Sequence, residues 1–312
     1  LISDPSVPIR ACACKQALYI FSLFWSVFSK EYRKTNFGKI VDNISRDPNS
    51  EVRSAVYEGM LHMVQCAEAV NAVESAVKRF ILWGINDNVV KVRLAAFQLL
   101  AAFKNHRYIK WWNVVQLQQV LERLEVEKVD SVKKKIAGLL VTRIFTSNTS
   151  DDEILKRIIY MGNISRMGAI KLHECIAKFQ LVSLDQSVDH LIAMGTTVYK
   201  LIRCYERANQ ESLASFDLTD VSFSSIDIAN PLIVDAEKDD DREGAKLWRQ
   251  LCLLLECSTV TWAVLREPLK AAKYASKRVK LSRLLVKLFG HLLHCFKGSS
   301  LEKTILVLGS TL

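Results

Sequence analysis

The side chains best suited to chemistry in this chain are cations. Lys133, Lys134 and Lys135 stand together, while Lys270, Lys273, Lys277 and Lys280 recur at spacings of three and four, with Tyr274 and Arg278 flanking and Lys287 beyond. Such spacings return to one face of a helix, so the second set reads as a stripe of ammonium groups. A stripe of like charges repels itself, and an anionic neighbour would relieve the repulsion. Phosphates of a nucleic acid are one such neighbour, and a solvated helix face is the plain alternative. A third basic segment, Lys104, His106, Arg107, Tyr108, Lys110, Trp111 and Trp112, has rings that could stack on bases. There the tryptophans read as core anchors.

Groups for covalent or metal chemistry do not converge. The chain has no G-x-x-x-x-G-K-[ST], no G-x-G-x-x-G, no G-x-S-x-G and no H-E-x-x-H. His291 and Cys295 share a helical face with His294 close by, but no further ligand is in range, so no zinc site is expected. His173, Glu174 and Cys175 are sequence neighbours and therefore point to different faces of a helix; they read as a helix with one buried cysteine. Eight scattered cysteines without a C-x-x-C pair suit reduced thiols in apolar positions. No enzyme activity and no cofactor are expected.

The charge is uneven along the chain. Residues 209–243 hold ten acids against two bases, a local charge of −8, with Asp239, Asp240 and Asp241 in a row. This Ser/Asp-rich stretch has too little apolar pattern to offset its ordering entropy and reads as a disordered acidic insertion. The whole chain is formally +10, so the remainder is +18. A basic folded part of that size suits a polyanionic partner.

The elements that position these cations are set by a recurring phrase. Asp4 to Arg10, Asp47 to Arg53, Asp87 to Arg93 and, decayed, Glu127 to Lys133 each run from an acid through small or polar residues to an aliphatic and a basic residue. The basic positions are 43, 40 and 40 residues apart, the period of paired-helix arrays of the HEAT or armadillo kind. The phrase sits at the turn within each pair. Its acid can cap the second helix, its aliphatic residue enters the core, and its basic residue can meet the acid of an adjacent repeat. Asp47, Arg53, Asp87 and Arg93 are therefore expected to be structural.

Periodicity predicts second helices over 9–28, 50–66, 89–103 and 131–145 and first helices over 69–85 and 111–125, with further helices over 154–164, 168–179 and 188–208. The expected architecture is an all-α HEAT-repeat solenoid over 1–208, the acidic loop over 209–243, and more helical repeats over 244–312. The apolar runs 17–28 and 247–265 are too short or carry Arg249, Gln250 and Glu256, so they read as buried helices and no membrane is expected. A chain starting at Leu1 and stopping in the run Leu301 to Leu312 reads as part of a longer product.

The stretch from Val90-Lys91-Val92-Arg93-Leu94-Ala95-Ala96-Phe97 through Trp111-Trp112 and Leu121-Glu122-Arg123-Leu124-Glu125 to the helix from Lys133 to Leu140 resembles the G-type HEAT-repeat subunits of condensin, above all the condensin II form. The match is clearest from Asp47 to Phe145. The resemblance implies a non-enzymatic regulatory subunit that binds the kleisin subunit and duplex DNA or chromatin, meets other condensin subunits indirectly, and works in the nucleus on mitotic chromosomes. Because the fourth phrase carries Glu127 and Lys133 in place of Asp and Arg, no contact is carried over from it. A protein-only HEAT adaptor of the karyopherin or phosphatase-scaffold type would share the fold. Such adaptors are commonly acidic, unlike the folded part here.

Overall fold

A computed structural model describes residues 1–145, 150–214 and 243–295, with 205–214, 243–245, 272 and 289–295 described by backbone alone. The acidic stretch 215–242 and the side chains of His291, His294 and Cys295 lie outside the described set. The architecture is all-α, with no strand among the described residues. The chain divides into two units, Leu1–Arg143 and Ile144–Leu312.

The first unit is built of helix pairs. Its helices are α1 (Val7–Phe24), α2 (Lys30–Asp42), α3 (Ser50–Val64), α4 (Val70–Ile85), α5 (Val90–Ala102), α6 (Trp111–Val114), α7 (Leu117–Val126) and α8 (Asp130–Ile144). The second helices stack, α1 on α3 and α3 on α5, while α2 packs on α4. In α3 the Asn49 side chain accepts the Glu51 N–H at 2.8 Å at the N-cap, and Val52, Val56, Met60 and Met63 form a fully buried stripe. Each such side chain stabilises by roughly 1.5–3 kcal/mol on leaving water.

Two boundaries differ from the periodicity. The expected helix over 9–28 stops at Phe24, where a 3₁₀ turn, Trp25–Val27, tucks the buried Trp25 against Phe37 at 5.4 Å. The expected helix over 111–125 breaks between α6 and α7, where the Gln119 side chain accepts the Gln116 N–H and starts a fresh helix. Apolar spacing carries no signal for either break. α2 falls in a polar stretch whose only buried residues are Phe37, Ile40 and Val41.

The turn phrases form a ladder. Arg10 Nε and Nη2 donate to Asp47 at 2.9 and 3.1 Å, Arg53 to Asp87 at 2.7 and 2.9 Å, and Arg93 to Glu127 at 2.8 and 3.1 Å. The remaining nitrogen of each arginine, Nη1, donates to two carbonyls of its own turn: Asp4 and Pro5, Asp47 and Pro48, Asp87 and Asn88. The acids do not cap helix N–H groups as the sequence reading expects. Asp47 Oδ1 accepts from Asn49 and Asp87 Oδ1 from Val89, the residues that precede α3 and α5, at 2.8 Å each. They close turns ahead of the helix.

Close approach is set at Gly84 in α4. The Tyr57 ring lies against it and its hydroxyl donates to the Phe80 carbonyl at 3.0 Å; a Cβ at position 84 would stand 2.3 Å from the ring. Gly84→Ala should therefore lower stability by about 2–3 kcal/mol, through overpacking and a strained buried hydroxyl, even though alanine favours helix. A urea midpoint equal to or above that of the parent chain would contradict this.

The second unit holds α9 (Asp151–Ile164), α10 (Arg166–Lys178), α11 (Leu184–Ala214), α12 (Glu243–Leu265) and α13 (Ala275–Cys295). Serine side chains cap two of them: Ser150 accepts from Glu153 and Ser165 from Gly168. α12 packs against α10 and α11, and α13 against α11. From Leu251 to Trp262 α12 is buried except at Glu256 and Val260, and its Ser258, Thr259 and Thr261 hydroxyls donate to carbonyls four residues back. α11 runs on to Ala214 and α12 begins at Glu243, so both ends of the acidic segment 209–243 are helical.

Candidate nucleic-acid interface

Glu127 fixes the start of α8 and hence its lysines. Its Oε1 accepts the Lys128 and Val129 N–H groups at 3.0 Å each, and its Oε2 accepts Arg93 and Arg123 at 2.8 Å each. Burial alone would raise this carboxyl, but the hydrogen bonds from Arg93, the Val129 N–H and Arg123 outweigh it and hold it at about 2. The glutamate does the work of the aspartates before it. Among the described residues Lys133 does not extend the ladder; its acidic neighbour there is Asp130, three residues back, at 3.8 Å.

Beyond that turn, α8 buries Val132, Ile136, Leu139, Leu140 and Ile144 and leaves Lys134 and Lys135 exposed, without an acidic partner among the described residues. Cations in the first turns of a helix face the positive end of its dipole. Apart from Asp130 beside Lys133, nothing in the first turns of α8 favours lysines there.

The second cluster is not one helical stripe. Lys270 and Lys273 lie in 3₁₀ turns (Pro268–Lys270 and Ala272–Tyr274) and α13 begins only at Ala275. Pro268 and the buried Leu269 tie this stretch down in place of the continuous helix that the spacing suggests. Much of its charge is answered within the chain. Lys270 pairs with Glu267 at 2.8 Å, and Lys277 reaches Asp185 and Asp189 on α11 at 2.7 and 3.4 Å, which raises its pKa, the Asp185 hydrogen bond foremost. Arg278 donates to the Lys270 carbonyl, Lys273 sits over the Tyr274 ring at 4.8 Å and Lys287 over Tyr199 at 4.6 Å. Lys280 is exposed without an acidic partner among the described residues.

The third segment folds around His106. The Ile109 N–H donates to Nδ1 at 2.9 Å, which leaves Nε2–H to donate to the Val64 carbonyl at 3.2 Å. Trp111 is fully buried. Trp112 departs from the core-anchor reading: it is 41% exposed, with Arg143 over its ring at 4.6 Å. His173, Glu174 and Cys175 do point apart, Glu174 outward and the others into the core. The sequence gives no sign of what His173 meets. Its ring stacks on His190 at 5.7 Å, and burial depresses both imidazoles, His190 to about 3. Among the described residues no three His, Cys, Asp or Glu side chains gather as a metal site, and no helix is long and apolar enough to cross a membrane.

Comparison with known proteins agrees with the condensin II resemblance. The chain is 23% identical over 175 residues to a Xenopus laevis protein named Condensin-2 complex subunit G2, covering 56% of this chain and 15% of that one. It is 21% identical over 216 residues to the Mus musculus protein of the same name (68% and 19%) and 23% over 217 to that of Danio rerio (69% and 18%). The chain thus matches less than a fifth of the length of these relatives. No family model and no solved structure matches it.

Proposed function

We propose that this chain is part of a non-enzymatic regulatory subunit of a condensin II-like complex, holding the kleisin subunit and duplex DNA on chromosomes in the nucleus. Membership of the complex is supported by the names of its relatives. DNA binding is supported by Lys134 and Lys135, exposed at the start of α8 without an acidic partner among the described residues, in a chain whose charge outside the acidic segment is +18. Lysines meeting phosphates read no bases, so the binding is indifferent to sequence and steeply salt-dependent. Of the second cluster, Lys273, Arg278 and Lys280 are the better contributors, because Lys270 and Lys277 already hold carboxylates.

The test is fluorescence anisotropy with labelled duplex DNA at two salt concentrations. The pair Lys134→Glu and Lys135→Glu should weaken binding about tenfold and flatten the salt slope by about 2, with the thermal midpoint unchanged. Unchanged DNA affinity together with lost capture of a kleisin fragment would overturn the DNA half of the proposal and favour a protein-only adaptor.

A further inference from the structure

An open groove of ≈ 640 Å³ runs between α3 and α5 in the first unit. Ala95 is buried beneath it, and Leu61, Val90 and Leu94 lie along it half-buried. Val90, Leu94 and Gln98 recur every four residues and so share a face of α5, while its core stripe of Val92, Ala96, Leu99 and Phe103 is fully buried without them. These apolar side chains are surplus to the core.

The charges on the groove walls are already answered. Lys91 bonds Glu51, and Glu58 takes Lys15 on one carboxylate oxygen and the Ser54 hydroxyl on the other, at 2.7 Å. Each ion pair joins neighbouring second helices, α1 to α3 and α3 to α5, so two lysines stand against two glutamates. Gln98 is exposed at the rim with a neutral amide.

We infer that this groove seats an apolar segment of the kleisin subunit, with the Gln98 amide bonded to its backbone. The inference deepens the kleisin reading above and rests on it. A duplex gains little here, because its phosphates would meet Glu51 and Glu58 beside every lysine they approached. An apolar side chain leaves water against Leu61, Val90 and Leu94, and a primary amide both donates and accepts, which matches the two polar groups of a peptide unit. Lys134 and Lys135 on α8 differ in having no acidic partner among the described residues. The two partners thereby take separate seats in the first unit.

The experiment measures binding of the immobilised kleisin subunit at two salt concentrations, beside the anisotropy titration with duplex DNA. It compares the parent chain with three variants: Gln98→Trp, Leu61→Gln with Leu94→Gln, and Lys134→Glu with Lys135→Glu. Gln98→Trp fills the groove from an exposed position and leaves the core intact, so the test stands even where the leucine pair fails to fold. Each groove variant should bind kleisin about tenfold more weakly at unchanged duplex affinity. Parent binding of kleisin should change less than about twofold with salt, because the contact is apolar. If the groove variants bind kleisin as the parent does, the groove inference falls and the kleisin reading stands. A parent that binds no kleisin overturns both. Weakened duplex binding with kleisin binding intact gives the groove to DNA and overturns the inference, as does kleisin binding that falls steeply with salt.

Discussion

Arg93→Ala should destabilise the first unit by about 3–5 kcal/mol, more than the same change at either other rung of the ladder. Arg93 is 6% exposed and its partner Glu127 only 2%. Without the guanidinium, that carboxylate keeps only Arg123 and the two turn N–H groups, and the Asp87 and Asn88 carbonyls lose their donor. Arg10 and Arg53 bond acids that are more open to water, at 8% and 9% side-chain exposure, so their replacement should lower stability by about 1–3 kcal/mol. Arg93→Lys should recover little, because an ammonium cannot span both carboxylate oxygens and the two carbonyls. Removing both charges with Arg93→Met and Glu127→Leu should not recover the loss, because Arg123 and the Lys128 and Val129 N–H groups then lose their acceptor as well. Urea unfolding of each variant would decide it. Equal losses at all three rungs would show that burial does not grade the ladder.

Mild acid should weaken the second unit through its stacked histidines. The pair closes a cavity of about 10 Å³, the room of about one water, lined also by Phe145, Ile176, Ala177, Val182, Ser187 and Thr261. No acid is among these residues to stabilise an imidazolium. His173 Nδ1 bonds the Ala169 carbonyl, while His173 Nε2 and both His190 nitrogens have no partner. Burial, then the neighbouring His173, lowers His190 from 6.5 to about 3, and burial lowers His173. Between those values the unfolded chain binds protons that the folded chain refuses, so stability rises with pH. For His190 it is complete above about 6.5 and falls as the pH drops toward 3, by about 1.4 kcal/mol per unit, and His173 acts in the same direction.

Between pH 7 and 5 the expected loss from His190 is on the order of 2 kcal/mol, and His173 adds to it in the same direction. Glu127 titrates lower, from its usual 4.5 down to about 2, and leaves this window to the imidazoles. His190→Phe keeps the ring against Phe145 and removes one titrating group, so its loss over the same interval should be smaller than that of the parent by about that amount. Identical pH dependence in both chains would exclude the histidine pair as the cause.

The reach of sequence reasoning differed from one residue type to another. Helices with a strong apolar stripe, such as α3 and α5, were legible to within about two residues because 3.6-residue periodicity is a local property. Breaks such as Trp25 and Gln116 were not, because they depend on one side chain finding one partner. Lys270 and Lys277 looked free in sequence. Their carboxylate partners are either in the adjoining turn, as Glu267 is, or 92 and 88 residues away on α11.

The sequence by itself determined the repeat interval, the helix-pair architecture and the positive balance outside the acidic segment, since these follow from spacing and composition. Tertiary structure alone decided which charges remain available. It gave Arg93 its buried glutamate, gave Lys277 two aspartates, left Lys134 and Lys135 facing solvent, and brought His173 beside His190. Charge and hydrogen bonding act over a few ångströms of space, and packing, which places residues far apart in the chain within that distance, sets whether a cation is already satisfied or open to a partner.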